Sequence, residues 1–235
     1  MSNVLINILS SDVPLEYRLF REYCSLKEKG LRKQSFVVLQ AFIDEANHWN
    51  AEKQQEFVIW FFGIIEDSEN IHHVLVYPLE ENLLKPILKC WMGSSNDSRP
   101  YRWYGMFLNS KNQLLYLQKA IELGGYDDEQ SALNKVIDMK FYSLWYSFHH
   151  ISENTYLGEL KEDQKLLKEI RKLMVNVLDE EIKSQIKIDL DYYNNLINDW
   201  IEFNNHKEDN FVEWCKERNR NYVWVKSFYY ANEGS

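Results

Sequence analysis

The stretch Leu114–Gln130, LLYLQKAIELGGYDDEQ, constrains the fold more than any other segment of the chain. It begins as a helix, stops at Gly124-Gly125, and restarts behind Asp127. Gln130 stands three residues after Asp127, the spacing of a capping box. Beyond it, Leu133, Val136, Ile137, Phe141, Leu144, Trp145 and Phe148 recur at helical spacing on one face. Leu166, Leu167, Ile170, Leu173, Met174 and Val177 form a second such face, and Ile182, Ile186, Leu190, Tyr193, Ile197 and Trp200 a third. Helices striped in this way bury the apolar stripe against neighbouring helices.

The N-terminal half reads the same way. Ser11-Asp12 with Pro14 and Glu16 predicts a helix start, and Gly30 a helix stop. A helix over 33–49 follows, then one from Ala51 capped by Asn50, apolar almost all round in its second half. Residues 70–78 fit a short strand or a helix, and residues 80–92 a helix perturbed at Pro86. Pro100 starts a short aromatic helix, and Phe211–Tyr230 closes the chain as helix or strand. With only 8 Gly and 4 Pro, a fold rich in tight β-turns is disfavoured. The expected class is all-α, with about ten helices. They form either a helix-turn-helix repeat superhelix or an irregular α-α bundle. Gly93–Ser98 is the best linker, which gives an N-terminal lobe 1–93 and a C-terminal lobe 99–235, or else one continuous domain.

Charge and cysteine usage narrow the function. The net charge of −9, from 27 basic and 36 acidic side chains, repels phosphate backbones. Nucleic acid is therefore a poor default partner unless a local basic patch overrides the balance, whereas a basic protein is easily accommodated. Cys24, Cys90 and Cys215 are far apart and form no metal or disulfide spacing. The longest apolar run, Val58–Ile65, is too short to span a membrane, and the N-terminus has no basic n-region. A cytoplasmic protein without membrane contact is expected.

Residues 99–200 resemble a degenerate tetratricopeptide array. Trp103-Tyr104-Gly105 stands for the aromatic and small positions of a first helix, and Ala120 to Leu123 for the end of a second. Gly124-Gly125-Tyr126 replaces the Asp-Pro usual in that family, and no clean period of about 34 residues extends to either side. The resemblance implies a concave face that binds a protein or peptide, and no chemistry. An immunity-type factor that neutralises a basic toxin is one concrete form of such a protein.

The candidate contact residues are Arg99, Tyr101, Arg102, Trp103 and Tyr104, a cluster of the residue types enriched at binding hot spots. Trp145 and His149 join them, beside Tyr146. The competing class is a helical metalloenzyme. Its ligands would be Glu45 with His48 and Glu69 with His72, two Glu-x-x-His pairs at the spacing used by di-iron bundles. Both pairs stand in polar company near expected helix ends, where such ligands are out of place. No nucleotide-binding, hydrolase or zincin motif is present. The leading expectation is a non-enzymatic binding protein without a cofactor.

Overall fold

The computed structural model describes residues 2–66, 68–108, 110–206 and 209–224. The fold is all-α, and the chain divides into two compact units, Met1–Leu123 and Gly124–Ser235.

The first unit opens with a seven-residue helix, α1 (Val4–Ser10), capped by Asn3, whose side chain accepts from the Leu5 N–H at 3.1 Å. This helix is too short to show a period, so the apolar pattern does not reveal it. Ser2–Asn3 (β1) pairs in parallel with Ser68–Glu69 (β2). The helix start expected at Ser11–Pro14 is a 3₁₀ turn, Leu15–Tyr17, and α2 runs Arg18–Glu28 behind it. Gly30 (φ 74°) ends α2 as expected. Its N–H bonds Lys27 O and the Leu31 N–H bonds Leu26 O, which closes a Schellman motif and turns the chain into α3 (Arg32–Ala46).

Asn50 caps α4 (Ala51–Ile65) through the Lys53 N–H at 2.9 Å. Helix α4 is central, as its apolar composition requires. Phe57, Phe61 and Phe62 are fully buried among Phe20 and Phe42 of the preceding helices. Each ring contributes about 1.5–3 kcal/mol through burial.

Residues 70–78 contain a 3₁₀ turn, Ile71–His73, and then α5 (Tyr77–Leu79). A π-helical segment, Glu80–Leu84, leads into α6 (Lys85–Ser94). The perturbation at Pro86 has a plain cause: proline has no N–H for the Asn82 carbonyl. The Asn47 side chain donates to that carbonyl instead, at 3.4 Å. Gly93–Ser98, expected as a linker between lobes, lies inside the first unit, where α6 packs on both α4 and α7 (Arg99–Phe107). Helix α8 (Gln113–Asp128) is broken at Gly125 (φ 82°).

The second unit holds α9 (Gln130–Phe148), α10 (Leu160–Met174), α11 (Glu180–His206) and α12 (Phe211–Glu217). Helix α10 runs antiparallel to α9, tied at both ends and in the middle. The capping box expected at Asp127–Gln130 is replaced by a longer-range tie. Gln130 donates to Tyr126 O and Asn176 O and accepts from the Leu178 N–H, fixing the α10–α11 turn. Midway, Lys140 Nζ meets Glu169 at 2.6 Å. At the far end the Leu157 N–H donates to Ser147 O. Trp200, Phe203, Phe211 and Trp214 pack the end of α11 onto α12.

Candidate functional site

Helix α9 exposes a strip of rings. Tyr142, Trp145, Tyr146 and His149 are spaced three or four residues apart and therefore share a face. Tyr142 is 65% exposed, Tyr146 55% and Trp145 39%. They form a continuous stack. Tyr142 lies on Trp145 with centroids 5.4 Å apart, and Trp145 lies on His149 at 4.9 Å, both nearly coplanar. Tyr146 covers the other side of His149 at 5.2 Å. The His149 Nδ1–H donates to Tyr146 O at 2.7 Å, which leaves Nε2 facing away from its own helix.

Two rings of this strip, Trp145 and His149, also line a small cleft of about 40 Å³, together with Phe148, Ser152, Tyr192, Tyr193, Leu196 and Val223. Tyr193 stacks on Phe141 and touches Phe148, which fixes α11 beside α9. Burial, and then the neighbours Tyr192 and Asp189, push the Tyr193 phenol up to about 12. Burial also raises Tyr192. Both phenols are thus neutral hydrogen-bond donors. Asp138, one turn before Tyr142 on α9, lies near Asp189 of α11. Burial raises the Asp138 carboxyl, Lys135 offsets some of this, and the nearby Asp189 carboxylate raises it further. The arrangement offers flat π-faces and phenol donors.

Of the expected contact residues, Trp145 and His149 meet at this cleft. The Arg99–Tyr104 cluster does not present a groove. Trp103 is 3% exposed and Tyr104 5%. Trp103 stacks on Phe62 at 5.1 Å, and Tyr104 packs on Tyr116 at 4.3 Å. Arg102 Nε and Trp103 Nε1 both donate to Glu66 Oε1 at 2.9 Å. Arg99 is held by Asp97 at 2.7 Å, and the Tyr101 hydroxyl donates to Met92 O. These residues close the core and the helix ends. Tyr142, the most exposed ring of the strip, is not among the expected contacts. Its one signal in the sequence is its place one turn before Trp145 and Tyr146. Of the C-terminal aromatics, Tyr222 donates to Asp199 and Trp224 lines the cleft, whereas 225–230 lie outside the described residues.

The metal ligands of the competing class do not converge. Glu45 and His48 are exposed at the end of α3, where the His48 Nδ1–H donates to Asp44 O at 2.6 Å. Glu69 lies in β2 and His72 in a 3₁₀ turn, with left-handed Asn70 (φ 57°) between them, so this pair does not share a helical face. Among the described residues, no three His, Cys, Asp or Glu side chains are grouped to hold a metal ion. Burial pushes the Cys24 thiol well up and that of Cys215 to about 12, so neither is a thiolate near neutral pH. Among the described residues, no helix is long and apolar enough to cross a membrane.

Comparison with protein-family models, with curated proteins and with solved structures finds no match for this chain.

Proposed function

We propose that this chain is a non-enzymatic interaction module that holds a protein or peptide partner on the aromatic strip of α9 and in the adjoining cleft. The observation that carries this reading is the exposed stack of Tyr142, Trp145, Tyr146 and His149. Leaving that much ring surface in water forgoes the stabilisation that burial would supply, and Tyr and Trp are the side chains most often used as binding anchors. The partner we favour is basic. The chain carries −9, Asp138 stands one turn before Tyr142 on α9, and aromatic faces attract cations. A toxin neutralised in the cytoplasm is the most specific form of this proposal.

A tetratricopeptide-like arrangement belongs to the same proposal. Its support is Gly105, where an added Cβ would lie 2.8 Å from Leu117 Cγ, so the small residue admits the α8 side chain against α7. The test is affinity capture with the wild type and with Tyr142→Ala/Tyr146→Ala, followed by titration of the purified partner. A basic partner retained by the wild type and lost by the variant supports the proposal. Equal retention by both places the contact elsewhere and overturns it.

A further inference from the structure

The turn between α2 and α3 reverses the sign of the protein. Residues 27–33, KEKGLRK, carry Lys27, Lys29, Arg32 and Lys33 against the single acid Glu28, in a chain of net charge −9. Lys27, Arg32 and His73 line an open concavity of about 200 Å³, together with Gly30 and Leu5. Lys27 and Arg32 sit over the same ring, with Lys27 Nζ 5.7 Å and Arg32 Cζ 5.9 Å from the centroid of Phe36. The ring keeps the two cations close together instead of letting them splay into solvent. Among the described residues, no carboxylate forms an ion pair with Lys27, Lys29, Arg32 or Lys33. By contrast, Lys85, Arg99, Arg102 and Lys140 are each held by a carboxylate. Burial, followed by the Arg32 charge, lowers the Lys27 pKa, which is the direction expected of neighbouring like charges that lack a counter-ion.

We infer that this concavity binds a phosphate-class oxyanion, with Arg32 as a planar multi-donor clamp, Lys27 as a point charge and His73 as a ring N–H donor. Guanidinium and ammonium groups complement such an oxyanion by charge-assisted hydrogen bonds. The first turn of α3 has neither a capping side chain nor an acid, so the positive end of the helix dipole adds potential of the same sign. Gly30 carries no side chain that would screen the rim, and an added Cβ there would meet nothing within 4 Å. The patch is too small for nucleic acid, which needs a track of cations to neutralise successive phosphates. One phosphate group matches its extent, either the free ion or the end of a small phosphomonoester. The site lies in the first unit and is independent of the aromatic strip.

The test is an NMR titration of the full chain at low ionic strength with inorganic phosphate and, separately, with glycerol phosphate. Saturable shifts confined to the amides of Gly30, Arg32 and His73 are expected with at least one of the two. Tighter binding of glycerol phosphate would identify a phosphomonoester, and tighter binding of inorganic phosphate the free ion. Arg32→Gln should weaken binding roughly tenfold, the loss of about one charge-assisted contact. Lys111→Gln, which removes an exposed cation outside the concavity, should leave it unchanged. Circular dichroism checks that each variant is folded. If the fold needs Arg32, Lys27→Gln replaces it with the same expectation. Absence of saturation with both ligands, or equal weakening by Lys111→Gln, would reduce the effect to general screening and overturn the inference.

Discussion

If the α9 strip is the working surface and the Arg99–Tyr104 cluster is structural, two aromatic substitutions should have opposite consequences. Tyr142 and Tyr146 are 65% and 55% exposed, so each hides less than half of its surface. Taking a tyrosine side chain as roughly 200 Å², the hidden portion is roughly 80 Å² and worth about 2 kcal/mol. Alanine keeps some of that area and is a better helix former by about 0.5 kcal/mol. Tyr142→Ala or Tyr146→Ala should therefore cost about 1 kcal/mol of stability. Trp103 is 3% exposed, stacks on Phe62 and bonds Glu66, so Trp103→Ala should cost about 3–5 kcal/mol. Binding should reverse the order. An anchor ring is worth about 2 kcal/mol or more, so each Tyr variant should weaken partner binding roughly thirtyfold. Urea denaturation and titration calorimetry on the same preparations give both numbers. The reasoning is refuted if the Tyr variants lose as much stability as Trp103→Ala, or if they bind the partner as the wild type does.

Three further outcomes follow from the packing. Gly158→Ala should destabilise by about 1–3 kcal/mol, read as a lower urea midpoint, because the new Cβ would lie 2.6 Å from both Ser147 Cβ and Asp163 Oδ2. Glu66→Ala should cost about 2 kcal/mol in the same assay by removing the acceptor shared by the Trp103 N–H and Arg102 Nε, with Glu66→Gln intermediate. The Lys140 hydrogen bond depresses the pKa of Glu169. A depressed carboxylate contributes stability above its unfolded value near 4.5 and loses it as pH falls through its folded value. Acid titrations followed by circular dichroism should therefore show wild type losing stability over that window, and Lys140→Met losing less of it.

Local signals were legible wherever a single residue decides local geometry. Gly30 ends α2 because only a residue at ease with positive φ closes that turn, Asn50 caps α4, and Pro86 disturbs its helix by lacking an N–H. The signals that failed were those a distant residue could outbid. Gln130 at capping-box spacing finds three backbone partners around Tyr126 and Asn176–Leu178. Glu69 and His72 show a related failure: the spacing presumed a helix, and one left-handed residue, Asn70, removed it.

The two aromatic clusters show why the site was only half legible. Both mix rings and polar groups at helical spacing, and composition alone does not separate them. The difference lies with neighbours far away in sequence. Glu66 reaches the end of α7 from α4 and takes both the Trp103 N–H and the Arg102 guanidinium, so polar groups that suggest a hot spot are already satisfied inside the fold. On α9 the buried face is filled by Leu133, Val136, Ile137, Leu144 and Phe148, with α10 packed on α9 and Tyr193 of α11 against Phe148. Among the described residues, Tyr142 and Tyr146 have Trp145 and His149, on their own helix, as their ring contacts. Aromatic side chains that stack only along their own helix gain little from the fold. Their surface is available to a partner at small cost, and that availability, rather than residue type, distinguishes a binding face from a core.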